Sequence, residues 1–260
     1  MRDIRAVFFD IDGTLVSFNT HAVPRSAVEA LAELRRRGIM TFIATGRMPS
    51  MIPLPAEMEF DGYVTYNGAL CLSASGETIF ANPLPHEDLT VLAGHLKHDK
   101  FAVAFLKRHD MTVNLIDERL REMVALIDID LPRIEDPEIS IREEVYQLCI
   151  YVDRQKERQV LDSVLRGCES NRWSEIFADV NARGNDKALG IEQMITRYGI
   201  DREQIMAFGD GGNDTSMLRY AGVGVAMGGA AEEVRGAADY VAATVDDDGI
   251  ASALRHFGLI

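Results

Sequence analysis

The sequence predicts an α/β protein, a doubly wound parallel-sheet core whose chain is interrupted by an inserted α+β domain. Three observations predict it. Residues 6–9, AVFF, are a continuous apolar run of the kind found in a strand buried on both faces between helices, and the run stops abruptly at Asp10. A helical segment and a second apolar run follow, an order that implies a parallel sheet with right-handed crossovers. Between residues 83 and 184 the rhythm changes to helix, two strands, helix, strand, helix, strand, and afterwards the first rhythm resumes. The expected organisation is a core of residues 1–82 and 185–260 with an inserted α+β cap of residues 83–184.

The elements follow in order. Pro24 suits the first turn of a helix, and Ala27, Val28, Leu31 and Leu34 keep helical spacing behind it. Arg35, Arg36 and Arg37 lie where the helix dipole favours cations, and Gly38 stops the helix. Residues 39–44 form the next strand. Residues 62–66 read as another, Asn67 and Gly68 as a hairpin turn, and residues 69–72 and 78–81 as the strands that follow. Pro83 and Pro85 interrupt regular structure at the boundary.

Within the insertion, residues 86–98 read as a helix and residues 101–106 and 111–115 as a hairpin. A helix over 118–127, a strand over 145–152, a helix over 155–165 and a strand over 177–180 complete it. A small sheet covered by helices on one side satisfies this order. Trp173 is expected in the interior rather than as a substrate platform, and because Arg172 and Trp173 precede the return to the core a cap contact with a sugar is open to the pair. The core resumes with a helix from Lys187 to Tyr198, carrying Ile191, Met194, Ile195 and Tyr198 on one face and ended by Gly199. Short strands over 205–209, 223–227 and 240–242 and a last helix over 249–257 close the chain.

Composition narrows the function. Of 260 residues, 47% are hydrophobic and 26% charged, which is ordinary for a globular chain that can bury a large core. A net charge of −14 repels phosphate backbones, so nucleic acid is not an expected partner, and positive charge for an anionic substrate must be concentrated locally. Three cysteines without C-x-x-C spacing suggest neither a disulfide framework nor a zinc site. No stretch approaches the roughly 20 apolar residues of a membrane span, and MRDIRAVFFDID does not read as a secretory leader. The expectation is a cytoplasmic protein with no membrane partner; a monomer is compatible with the sequence.

The chemistry sits where apolar strands end. Asp10 and Asp12 lie two apart, and in extended backbone such carboxylates project to one side, where a divalent cation is the simplest compensation for their repulsion. Gly13 permits a turn away from the strand, and the Thr14 hydroxyl can tie it down. Three further polar clusters follow: IATGR ending at Arg47, GNDK ending at Lys187, and AFGDGGND ending at Asp214. The simpler readings are a strand-terminal turn for Thr45 and Gly46, a solvated lysine for Lys187 and a helix N-cap for Asp214. Lys187 at a helix start is badly placed for the macrodipole, so its position calls for an anion.

The four clusters in this order resemble those of the haloacid dehalogenase-like phosphatases, over essentially the whole chain. The match is best with the Cof-type sugar phosphatase branch, subfamily IIB, whose large cap is inserted between the second and third clusters. The resemblance implies a Rossmann-like core and a Mg²⁺-dependent phosphatase for small phosphorylated metabolites, sugar (hexose) phosphates above all. It implies Asp10 as nucleophile, through an aspartyl phosphate, and Asp12 as general acid and then base. Lys187 would neutralise the phosphorylated aspartate. Asp10, Asp12, Asp210 and Asp214 form the implied metal set, with Asp12 bound through its main-chain carbonyl so that its side chain stays free. Thr45, Gly46, Arg47, Lys187 and Asn213 are the implied phosphate or substrate contacts, Arg47 alternatively supporting the loop or the cap. The cap would close over the site to exclude water. GNDK departs from the family's usual hydroxyl residue before the lysine. A phosphosugar mutase using the same aspartate and a non-enzymatic receiver-like phospho-switch are the rivals.

Overall fold

Ala6–Phe9 (β1) is the axis of the first of two compact units, Met1–Arg47, Met51–Ala81 and Asp186–Ile260, in a computed structural model that describes residues 3–126, 129–172 and 174–260. Helix α1 (Arg25–Arg36) leads from β1 to β2 (Met40–Ala44), and β3 (Gly62–Thr65), β4 (Leu70–Ser73) and β5 (Thr78–Ala81) extend the sheet. The second unit comprises Met48–Ser50 and Asn82–Asn185. It holds α2 (His86–His95), β6 (Val103–Lys107), β7 (Met111–Val113), α3 (Glu118–Leu126), β8 (Arg133–Ile134) and α4 (Pro137–Ser140). After them come β9 (Val145–Ile150), α5 (Arg154–Ser163), β10 (Cys168–Asn171) and β11 (Ala178–Ala182). The chain returns to the first unit with α6 (Lys187–Tyr198), β12 (Ile205–Gly209), α7 (Thr215–Tyr220), β13 (Val223–Ala226), α8 (Glu232–Arg235), β14 (Tyr240–Val241) and α9 (Gly249–His256).

The core sheet runs β14-β13-β12-β1-β2-β3-β4-β5, parallel from β14 to β3 and antiparallel beyond. Alternation along β1 explains why both faces are covered. Val7 and Phe9 pack with α1 and α9, whereas Ala6 and Phe8 pack with α6 and α7. Phe8 stacks on Phe42 with centroids 4.7 Å apart, and Phe9 on Phe208 at 5.2 Å. Full burial of side chains of this size contributes about 1.5–3 kcal/mol each. Because β1 lies between β2 and β12, and the chain leaves it towards one edge and later fills the other, the carboxyl ends of these three strands flank a topological switch point, the usual ligand position in an open α/β sheet.

In the second unit the sheet runs β10-β11-β9-β6-β7-β8. One face is apolar: Val103, Phe105, Leu148, Ile150, Ala178 and Val180 pack with Leu89 and Leu92 of α2 and Val160 of α5. Some of the alternate residues are polar, with Gln147 Nε2 donating to Asp179 Oδ1 at 2.9 Å and Asn181 Nδ2 to the Tyr146 carbonyl at 3.1 Å. The sequence reading gave no strand to residues 168–171, CESN, because that strand is polar and gains its place from pairing with β11. Arg172 is not placed for a sugar contact: its guanidinium is buried against Glu157, 2.7 Å away, and the Val152 carbonyl, so it braces the unit internally. Trp173 lies outside the described residues.

Candidate active site

Asp10 is the first residue beyond β1, and its amide donates to the Phe208 carbonyl of β12 at 3.0 Å, which fixes where the carboxylate emerges. Beyond it the backbone is no longer extended. The amides of Leu15 and Val16 both donate to the Ile11 carbonyl, closing a tight turn in which Gly13 takes φ +80°. The alternation of an extended strand therefore does not carry from Asp10 to Asp12, yet both carboxylates stay within electrostatic reach of Arg47 and Asp210, and each has its own cation. Asp12 receives Nε and Nη2 of Arg47, both at 2.8 Å, and Asp10 receives Nζ of Lys187 at 2.6 Å.

Lys187 opens α6 and is completely buried. A solvated lysine is thereby excluded. Its ammonium lies between Asp10 Oδ1 and Asp214 Oδ1, the latter at 2.5 Å. Asp186 makes this possible: its side chain caps the helix by accepting from the Leu189 amide at 2.8 Å, so Lys187 can turn inward. Burial works against the lysine's charge, but the two carboxylates outweigh it and hold the group protonated.

Asp210 follows β12 as Asp10 follows β1. Its Oδ1 accepts from the Thr14 hydroxyl at 3.1 Å, so Thr14 ties the first cluster to the last rather than fastening its own turn. Asp214 does not cap α7 through its side chain. Its Oδ2 instead accepts from the amides of Asp210 and Gly211, at 2.9 and 2.8 Å, holding the acidic loop in shape.

Among the described residues, Asp10, Asp210 and Asp214 offer carboxylate oxygens that all lie within 4.8 Å of one another. Three carboxylates against the Lys187 ammonium leave the cluster with excess negative charge. Burial, reinforced by Asp214, pushes Asp210 up to about 7 and Asp10 well above the usual carboxylate range. Such a cluster is short of positive charge, and its all-oxygen donor set suits a hard divalent cation.

Thr45 and Gly46 follow β2. The Thr45 hydroxyl accepts from the Arg47 amide at 3.1 Å, and Arg47 Nη1 also donates to the Met51 carbonyl at 3.0 Å. Three of the guanidinium's nitrogens are thus engaged within the protein. Asn213 Nδ2 donates to Asn67 Oδ1 at 3.0 Å. Lys187, Asp10, Asp210 and Asp214 therefore form one cluster, Asp12 and Arg47 a second pair, and Asn213 reaches the Thr45 loop through Asn67. Asn67 escaped the sequence reading because an Asn-Gly pair between strands is the ordinary signal of a hairpin.

With the geometry established, comparison with known proteins is decisive. Residues 7–254 match the family described as haloacid dehalogenase-like hydrolase. The chain belongs to that family. It is 34% identical over 260 residues to YkrA of Bacillus subtilis (strain 168), with 99% of both chains covered. BT1666 of Bacteroides thetaiotaomicron, a phosphatase of the superfamily, shares 38% identity and superimposes with a TM-score of 0.92, covering 99% of this chain and 96% of that one. The subclass IIB sugar phosphatase BT4131 shares 40% identity at a TM-score of 0.89, over 98% and 100% of the respective chains. These neighbours place the chain in the Cof-type subclass IIB and bear out the α/β core with an inserted cap. Among the described residues, no helix is long and apolar enough to cross a membrane.

Proposed function

We propose that this hydrolase is a Mg²⁺-dependent phosphoric monoester hydrolase for small phosphorylated metabolites, sugar phosphates first among them. The observation that carries the reading is the fully buried Lys187 ammonium held on Asp10 between two clusters that the sequence separates by 177 residues. An ammonium fixed beside a carboxylate, under burial that makes both expensive, is suited to a group that becomes more anionic during reaction. The likeness to the sugar phosphatase BT4131, and to the 28% identical 5-amino-6-(5-phospho-D-ribitylamino)uracil phosphatase YcsE of Bacillus subtilis (strain 168), supports a polyhydroxylated phosphate ester.

In this reading an Asp10 oxygen attacks phosphorus, forming the aspartyl phosphate as the bond to the leaving oxygen breaks. Asp12 delivers its proton to the leaving alkoxide and then takes one from the water that attacks the aspartyl phosphate, releasing inorganic phosphate and restoring Asp10. Lys187 neutralises the growing charge. The Thr45 hydroxyl, the Gly46 amide and the Asn213 amide hold phosphoryl oxygens. Arg47 aims Asp12 through its guanidinium, one bond of the fork giving way on the oxygen that carries the proton, so that Arg47 serves by positioning the acid rather than by gripping phosphate. The carboxylates of Asp10 and Asp210 would hold Mg²⁺, with Asp12 contributing its main-chain carbonyl as the family resemblance implies. Both oxygens of Asp214 are already engaged, which favours a role one shell out. The ion supplies charge neutralisation for the phosphoryl group.

The test is release of inorganic phosphate from a panel of phosphorylated metabolites with Mg²⁺. Turnover without a bisphosphate activator excludes the mutase, and a long-lived phosphorylated chain without turnover would instead establish the switch.

A further inference from the structure

Tyr66, Asn67 and Gly68, between β3 and β4, have φ of 52°, 53° and 97°. Left-handed backbone costs a residue with a side chain roughly 1–2 kcal/mol, and strain of this kind persists only where the surroundings over-determine it. A hairpin at Asn67 and Gly68 accounts for their positive φ but not for that of Tyr66 before them, nor for a buried amide, and Asn67 is only 7% exposed.

The surroundings explain the conformation. The Asn67 amide donates to the Thr45 carbonyl at 3.0 Å and the Tyr66 amide to the Arg47 carbonyl at 3.3 Å. A Cβ on Gly46 would lie 3.1 Å from the Asn67 side-chain amide, so the two segments are in close contact. Gly68 is pressed so near the start of α6 that a Cβ there would lie 2.0 Å from the Asp186 carbonyl oxygen, one residue before Lys187. Asn67 Oδ1 accepts from Asn213, 146 residues away. One short segment outside the four clusters thus touches the loop after β2, the start of α6 and the loop after β12.

We propose that Asn67 is a positioning residue of the phosphatase reaction: its side chain orients the Asn213 amide towards the phosphoryl group, while its backbone holds the Thr45–Gly46 loop. The inference rests on the reading of Asn213 as a phosphate contact given above. Asn67→Gly separates the two roles, because glycine keeps the left-handed backbone without strain and deletes only the side chain. Asn67→Ala deletes the same side chain and keeps the strain.

The experiment measures kcat and KM for p-nitrophenyl phosphate with Mg²⁺, and thermal midpoints, for the parent, Asn67→Gly, Asn67→Ala, Asn213→Ala and the Asn67→Gly/Asn213→Ala double variant. Losing one oriented hydrogen bond should lower kcat about tenfold in both Asn67 variants. Asn67→Ala, which forces a Cβ-bearing residue other than Asn into the left-handed region, should lose more thermal stability than Asn67→Gly, and Asn67→Gly should cost no further kcat once Asn213 is alanine. Parent-like kcat in Asn67→Gly, activity that follows the thermal midpoint, or losses that multiply in the double variant would each overturn the inference. A parent that hydrolyses no phosphate monoester sinks the phosphatase reading and this inference together, whereas an active parent with an unimpaired Asn67→Gly sinks this inference alone.

Discussion

Arg47 clasps Asp12 through two parallel hydrogen bonds, Nε to Oδ2 and Nη2 to Oδ1, each 2.8 Å long. The guanidinium fork fits a carboxylate in this way and no other cation side chain does, so the pair fixes the plane of the Asp12 carboxylate as well as its position. Asp12 in turn holds Arg47 charged, raising it above its ordinary value.

If Arg47 aims the acid, Arg47→Met should lower kcat by about 10- to 100-fold, since a misplaced general acid forfeits much of its contribution. KM should change little. Steady-state kinetics on one good substrate decides the matter, for a residue that grips phosphate would raise KM instead. Arg47→Lys should restore little, because an ammonium cannot reproduce the paired bonds.

Gly13 tests the turn that carries Asp12 and brings the chain against Asp210. At φ +80° a side chain is strained, and a Cβ there would lie 2.2 Å from Asp210 Oδ2. Gly13→Ala should therefore displace the Asp210 carboxylate, abolish most activity and cost about 1–3 kcal/mol of stability. Urea unfolding beside phosphate release checks both, and a variant as stable and active as the parent would refute the packing.

Lys187→Met removes the cation between Asp10 and Asp214 and leaves both carboxylates buried without it. Breaking a buried pair in this way costs about 3–5 kcal/mol. The loss should be largest above the raised range in which Asp10 takes up its proton and shrink as pH falls through it, because a protonated Asp10 no longer needs the cation. Equal destabilisation across that range would show that packing alone, not charge, is at stake.

The raised Asp210 gives a pH dependence of determined sign. Its folded value of about 7 exceeds the roughly 3.9 of an unfolded aspartate. Between these values the folded chain binds more protons than the unfolded one, so stability falls as pH rises through the window and levels off above it. Without metal, the parent's thermal midpoint relative to Asp210→Asn should fall from about pH 4 to about pH 7. Added Mg²⁺ should stabilise the parent more at the upper end, because the ion binds the ionised carboxylates. A stabilisation by Mg²⁺ that does not grow with pH contradicts this.

Much of this was legible in the sequence, and particular residues show why. Asp10 and Asp210 were visible because apolar strands end at them, and Lys187 because a cation at a helix start runs against the dipole. The pairing of Arg47 with Asp12 was not, since contact across 35 residues leaves no periodic trace. Asn67 was hidden by a sequence that also spells an ordinary turn. Asp12 was legible as a site residue but not by the route that named it, since alternation holds only while the backbone stays extended and the chain turns at Ile11. Polar β10 gave no hydrophobic pattern to read.

The most direct measurement follows phosphate on Asp10. The Asp12→Ala variant, mixed with a substrate and Mg²⁺ and quenched in acid, should yield a peptide covering residues 6–16 heavier by one phosphoryl group, labelled at Asp10. The same peptide from Asp10→Asn should stay unlabelled, in a chain that folds normally and releases no phosphate. Near-normal phosphate release from Asp10→Asn would contradict the account.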